Sequence, residues 1–254
     1  MFIDTHSHIY SEDFNDDIDK VLQDAYNNDV KKIVLPNIDL GTVKRLIDLC
    51  NTYPHICYPL MGLHPGSVSK DYREELSAIE YWLDKHKFYG IGEIGIDLYW
   101  DRTFLVEQEE VLRYQIKLAK SLQLPVVLHV RESFNEVYTI VKEEQDGTLR
   151  GIFHCFTGTV EEANKAIDQG FLLGIGGVLT FKKSNLDKTL EQIDPKHLVL
   201  ESDAPYLAPE PKRGKRNESA FIVYTAKKLA EVYNLSYAEI ARITTENARN
   251  LFRI

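Results

Sequence analysis

Tyr89 to Arg131 reads YGIGEIGIDLYWDRTFLVEQEEVLRYQIKLAKSLQLPVVLHVR, and this stretch holds one complete unit of the fold. A short apolar run starts at Tyr89-Gly90-Ile91-Gly92, and a second starts at Val126-Val127-Leu128. Between them Val111, Gln115, Leu118, Ala119 and Leu122 recur at helical spacing, while Arg113, Lys117 and Lys120 fall elsewhere around the turn. Strand, amphipathic helix, strand is the pattern of a parallel crossover.

Six further runs extend the pattern in both directions. Phe2-Ile3, Lys32 to Leu35 and Cys57 to Leu60 precede it, and Gly151 to Phe153, Phe171 to Gly174 and Leu198 to Leu200 follow. Near-continuously apolar strands separated by helices imply a sheet covered on both faces and wound in one direction by right-handed crossovers. The α/β class follows, with a (β/α)8 TIM barrel as the expected architecture and a doubly wound open sheet as the alternative. Two more helical stretches, Ala220 to Tyr233 and Ser236 to Phe252, end the chain, the last being an additional C-terminal helix with Ser236 and Glu239 at capping-box positions. No linker or low-complexity run divides the sequence, so residues 1–254 are expected to form a single domain.

With 254 residues, 44% of them hydrophobic, the chain can bury a large core. The net charge of −9 has the wrong sign for a protein that coats nucleic acid by bulk electrostatics, so any polyanion must be gripped locally. Cys50, Cys57 and Cys155 form no CxxC pair, which argues against a disulfide framework and a thiolate zinc site. The N-terminus has no basic segment followed by an apolar one, and no long apolar window occurs. These features predict a cytoplasmic protein without a membrane partner.

Polar residues gather where the strands are expected to end. His6 and His8 follow the first strand in Asp4-Thr5-His6-Ser7-His8, and alternation along an extended segment points both imidazoles to one side. His64 follows the third strand, Glu93 the fourth, and Asp203 the eighth, while His129 ends the fifth and His154 the sixth. In a barrel these ends converge on one mouth, where active sites are built. An all-nitrogen and oxygen donor set suits magnesium, manganese, zinc or nickel. Four histidines and two carboxylates exceed the needs of one tetrahedral ion, and two divalent ions sharing a carboxylate would use them all for hydrolysis. Asp203 is placed to ligate and to serve as general base. Asp4, two residues before His6, is placed to orient an imidazole or to cap the strand end.

The motifs DTHSH, HPG, GEIGID, HVR, HCFTG, ESDAPYL and TTENARNLF, spread in order from residue 4 to residue 252, resemble those of the TatD-type metal-dependent deoxyribonucleases, a branch of the amidohydrolase-like barrel hydrolases. The resemblance implies a two-metal barrel enzyme that cleaves DNA phosphodiester bonds from a 3′ end. It further implies one ion on His6, His8 and Asp203, another on His129 and His154, and Glu93 bridging. By the same resemblance His64 contacts substrate phosphate or the attacking water, and Glu201 is a weak candidate for a further metal. The sequence departs from the family pattern at Ser219, where proline is expected.

For substrate, Lys212 and Arg213 belong to a basic loop after the eighth strand, where barrels often bind phosphate. Arg131, two residues beyond a proposed ligand, offers a bidentate fork. Tyr99, Trp100, Phe156 and Tyr206 can stack on unpaired bases. The expected partner is DNA with single-stranded or frayed 3′ ends, with no obligate protein partner. The rival reading is a hydrolase on the same barrel that cleaves another ester or amide, such as an aminoacyl-tRNA ester. No lysine stands at an expected strand end, which disfavours the carbamylated-lysine bridge of many amide-cleaving relatives.

Overall fold

The computed structural model describes residues 1–254. Eight strands form, β1 (Phe2–Asp4), β2 (Val30–Leu35), β3 (Cys57–Pro59), β4 (Ile91–Asp97), β5 (Val126–Arg131), β6 (Gly151–Phe153), β7 (Phe171–Ile175) and β8 (Leu198–Leu200). The helices between and after them are α1 (Ile18–Asn27), α2 (Val43–Thr52), α3 (Tyr72–Lys85), α4 (Leu105–Ser121), α5 (Phe134–Glu144), α6 (Val160–Asp168), α7 (Leu186–Leu190), α8 (Ile222–Tyr233) and α9 (Tyr237–Phe252).

All strand pairs are parallel, in the ladders β1-β2-β3 and β4-β5-β6-β7-β8. Backbone hydrogen bonds close the two seams. Between β3 and β4 the amides of Met61 and Gly92 donate to Gly90 and Met61 carbonyls at 3.2 and 3.0 Å. Between β8 and β1 the amides of Thr5, Asp203 and His8 donate to Leu200, His6 and Ala204 at 3.0, 2.9 and 2.7 Å. The architecture is the (β/α)8 barrel, with α9 added beyond the eighth unit.

Inside the barrel Ile3, Val34, Leu60, Val127, Ile152 and Val199 pack together with Ala248, Leu251 and Phe252 from the end of α9. Side chains two residues apart on a strand share a face. His129, His154 and Glu201 therefore stand directly above Val127, Ile152 and Val199, so the apolar layer that fills the barrel is the floor of the polar mouth. Ser236 caps α9 by accepting the Glu239 amide at 3.1 Å, a contact worth about 1 kcal/mol.

Three expected boundaries shift. Glu93 does not follow β4 but lies inside it, and His129 lies inside β5, because pairing continues through Gly95↔His129 to Asp97↔Arg131. The penultimate helix starts at Ile222 rather than Ala220, since Ser219–Phe221 forms a tighter 3-10 turn. No helix is long and apolar enough to cross a membrane. All three cysteines are free.

Candidate metal centre

Glu93, buried within β4, divides the histidines between its two oxygens. Its Oε2 lies 3.1 Å from His6 Nε2 and 3.5 Å from His8 Nε2. Its Oε1 lies 2.7 Å from His129 Nδ1, 3.2 Å from His154 Nε2 and 3.5 Å from His64 Nε2. Asp203 Oδ1 lies 3.8 Å from both His6 Nε2 and His8 Nε2. The two Nε2 atoms of His6 and His8 face each other at 3.1 Å. The Tyr10 hydroxyl donates to the Pro36 carbonyl at 2.6 Å and so accepts from His8 Nδ1 at 3.0 Å, which leaves the His8 Nε2 lone pair facing the cluster and available to a cation. The donor set thus fits divalent metal, in the groups His6–His8–Asp203, His6–Glu93–His154 and His64–Glu93–His129.

Two histidines are held from behind by carboxylates. Asp97 Oδ2 lies 3.0 Å from His129 Nε2, and Glu201 Oε1 lies 3.2 Å from His154 Nδ1. Such partners fix the tautomer and ring orientation of a ligating imidazole. Glu201 also accepts the Cys155 amide at 2.6 Å, and it belongs to none of the three donor groups. A Cβ on Gly174 would stand 2.1 Å from Glu201 Oε2, so only glycine in β7 leaves this carboxylate room. Asp97 was not singled out from the sequence. The signal was present in GEIGID, where Glu93, Gly95 and Asp97 share one face of a strand and the glycine lets β5 approach.

His64 differs, because its Nδ1 accepts the Gly66 amide at 3.0 Å. Asp4 does not orient an imidazole. It staples β1 to the segment after β8, accepting the Ser202 amide at 2.8 Å, the Ser202 hydroxyl at 2.6 Å and the His6 amide at 3.3 Å. Asn217 anchors the following loop by donating to the Ser202 and Tyr206 carbonyls, each at 2.6 Å. Ser219, in place of the expected proline, meets the Ser7 hydroxyl at 3.3 Å.

Burial and mutual charge set the ionisation of the cluster. Burial opposes the ionised form of Glu93, but His6, His154 and His64 overturn this and hold it well below the ordinary carboxylate range. Burial, reinforced by His154, pushes His6 well below the ordinary histidine value. His154 goes the other way, since Glu201 and Glu93 outweigh its burial. Burial lowers His64 and raises Asp203 to about 6. Asp203 also adopts a left-handed backbone, φ 58°, uncommon for a residue other than glycine.

The cluster opens into a cavity of about 640 Å³ lined by His8, His64, Glu93, Asp97, His129, His154 and Asp203. Arg131, Trp100 and Tyr206 line it too. Tyr99 is not in the wall but lies beneath Arg131, whose guanidinium carbon stands 3.9 Å from the ring centroid. Lys212 and Arg213 are not brought into the lining. They stack on Phe221 and Phe181, at 4.9 and 3.8 Å to the centroids. Arg216 of the same loop is held by Asp17 and Glu218.

A parallel barrel whose mouth holds clustered imidazoles and carboxylates around a cavity is the architecture of a metal-dependent hydrolase. The sequence matches the family described as TatD related DNase over residues 3–253, and the chain belongs to that family. It is 39% identical to YabD of Bacillus subtilis, an uncharacterized metal-dependent hydrolase, over the full length of both chains. It is 29% identical to YcfH of Escherichia coli, described in the same words, over 100% of this chain and 96% of the relative. Among solved structures, the Escherichia coli TatD homologue YjjV superposes with a TM-score of 0.94 at 29% identity, covering 100% of this chain and 98% of the other. A TatD family hydrolase from Entamoeba histolytica superposes with 0.83 at 25% identity, covering 99% and 97%.

Proposed function

We propose that this chain is a 3′–5′ exodeoxyribonuclease of the cytosol that hydrolyses DNA phosphodiester bonds, with two divalent ions, magnesium, manganese, zinc or nickel, at the Glu93 cluster. The carrying observation is Glu93 itself, whose oxygens each face a separate set of histidines. When bound, two ions supply an activated water and stabilise the attacking and leaving oxygens. His6, His8 and Asp203 would hold one, and His129 and His154 the other, with Glu93 between them.

The remaining chemistry belongs to the protein. Asp203, 3.8 Å from both His6 Nε2 and His8 Nε2 at the cavity wall, is the carboxylate placed to take the proton of the attacking water. Arg131 forms no salt bridge with the protein, so its fork is free for a phosphate of the strand. Trp100, 78% exposed at the cavity wall, and the exposed Tyr206 offer plates for unstacked bases. A single strand entering from its 3′ end meets these groups before the buried carboxylates.

The test sets metal-loaded protein against a single-stranded oligonucleotide and, in parallel, an aminoacyl-tRNA. Mononucleotides released from the first substrate support the proposal. Amino acid released from the second, with the oligonucleotide untouched, transfers the chemistry to the ester reading.

A further inference from the structure

We infer, resting on the function proposed above, that the loops after β7 and β8 form a basic track outside the cavity that binds phosphates of single-stranded DNA upstream of the linkage being cut. A cavity of about 640 Å³ has the size of a small-molecule site, so it holds only the reacting end of a strand. The rest of the strand must lie along the rim.

Charge is not spread evenly around that rim. The chain has a net charge of −9, yet residues 176–186 and 204–217 hold Lys182, Lys183, Lys212, Arg213, Lys215 and Arg216 against a single carboxylate, Glu210. Arg216 is already paired, with Asp17 and Glu218 at 2.7 and 3.2 Å. The other five form no ion pair within the protein. Lys182, Lys183, Arg213 and Lys215 are exposed, and Lys212 is half-buried.

The two loops make one surface. A Cβ on Gly177 would stand 2.2 Å from the Leu207 carbonyl oxygen, so the loops touch where only glycine permits it. The Glu210 amide donates to Thr180 Oγ1 at 2.9 Å, tying them again. Arg213 then lies over Phe181, the residue before Lys182, with its guanidinium carbon 3.8 Å from the ring centroid. A guanidinium stacked in this way keeps N–H groups at its edge for a phosphate. Lys212 is steadied over Phe221 at 4.9 Å, and its amide donates to the Pro209 carbonyl at 2.6 Å. The cations are thus held before a ligand arrives, which lowers the ordering cost of binding it.

The track joins the catalytic mouth. Tyr206 and Leu207 line the cavity, and Lys212 follows Leu207 at a separation of at most about 18 Å, the reach of the intervening chain. A strand whose 3′ end reaches the Glu93 cluster can therefore pass Tyr206 and lay its upstream phosphates on these side chains. Unpaired cations on an otherwise acidic protein complement a polyanion locally and without regard to base sequence.

The experiment uses magnesium-loaded protein with 5′-labelled single-stranded DNA, one oligonucleotide of about 20 nucleotides and one dinucleotide. Binding is read by fluorescence anisotropy on phosphorothioate versions that resist cleavage, and KM on the ordinary ones. The patch variant combines Lys182→Gln, Lys183→Gln and Lys215→Gln, which remove only exposed head groups. A control combines Lys87→Gln, Lys142→Gln and Lys227→Gln, an equal loss of charge from exposed lysines elsewhere. The control is expected to bind the long strand with the wild-type salt dependence. In the patch variant the slope of log affinity against log salt becomes shallower by about 2, from about 0.7 per lost phosphate contact, and affinity at low salt falls about tenfold. The KM advantage of the long strand over the dinucleotide shrinks with it. A patch variant with the slope and the length advantage of the control overturns the proposal. So does wild type that uses these lysines to bind RNA of equal length, or vesicles of phosphatidylserine and phosphatidylcholine, while leaving DNA unbound. Wild type that binds the long DNA through these lysines and leaves it uncleaved keeps the track and counts against the hydrolytic reading alone.

Discussion

Asp97 Oδ2 and His129 Nε2 lie 3.0 Å apart, on the side of the imidazole away from Glu93, whose Oε1 is 2.7 Å from Nδ1. The ring is therefore clamped between a carboxylate that accepts its N–H and a carboxylate that would share its metal. Asp97→Ala is expected to weaken metal binding by about 10- to 100-fold while leaving the barrel folded. Calorimetric titration of the metal-free variant measures this, and an unchanged affinity would remove Asp97 from the centre.

Gly174→Ala tests the partner behind His154. The added methyl would fall 2.1 Å from Glu201 Oε2 and 3.2 Å from the His154 Cα. Overpacking of this kind costs about 1–3 kcal/mol, and here it also pushes Glu201 from His154. Urea denaturation should show the loss of stability, and elemental analysis a loss of metal. A variant as stable and as metal-rich as wild type would contradict the packing argument.

These two sites show what the sequence made legible. The eight strands were readable because each is an apolar run bounded by amphipathic helices, and His6, His8, His129 and His154 were readable because polarity at the end of such a run is conspicuous. Asp97 was less so, since a carboxylate closing GEIGID looks like the start of a turn unless β4 is known to pair with β5 as far as Arg131. The basic loop was misleading for another reason. Charge density at Lys212 and Arg213 says nothing of direction, and both side chains lie over phenylalanine rings outside the cavity wall. The role of Glu201 depended on a glycine in a different strand, Gly174, which no local pattern connects to it.

Metal affinity should fall in acid. In the metal-free protein burial raises Asp203 to about 6, and Glu201 and Glu93 outweigh burial to hold His154 well above the ordinary histidine value. Binding must displace both protons, so affinity rises with pH, and the dependence steepens below about 6 where Asp203 is protonated as well. Between pH 7 and 5.5 the affinity is expected to drop at least about tenfold. Equal occupancy at the two pH values, measured at matched metal concentration, would contradict this.

Arg216 holds the loop after β8 by a two-pronged contact to Asp17, at 2.8 and 2.7 Å. Arg216 keeps the Asp17 carboxyl below its ordinary value, so the pair stabilises the fold above that value and the contribution disappears as pH falls through the lowered one. The pair is partly exposed, so solvent screening limits Asp17→Asn to about 0.5–1 kcal/mol at pH 7. Denaturation at pH 7 checks this, and a loss well above that range would point to a larger role for the loop in folding.

The central claim is tested most directly by a time course on a 5′-labelled single-stranded DNA oligonucleotide, with magnesium, manganese or zinc, using wild type beside His154→Ala. The account predicts a metal-dependent ladder that shortens from the 3′ end with wild type and is absent with the variant. An intact oligonucleotide under every metal, or an identical ladder from His154→Ala, would contradict it.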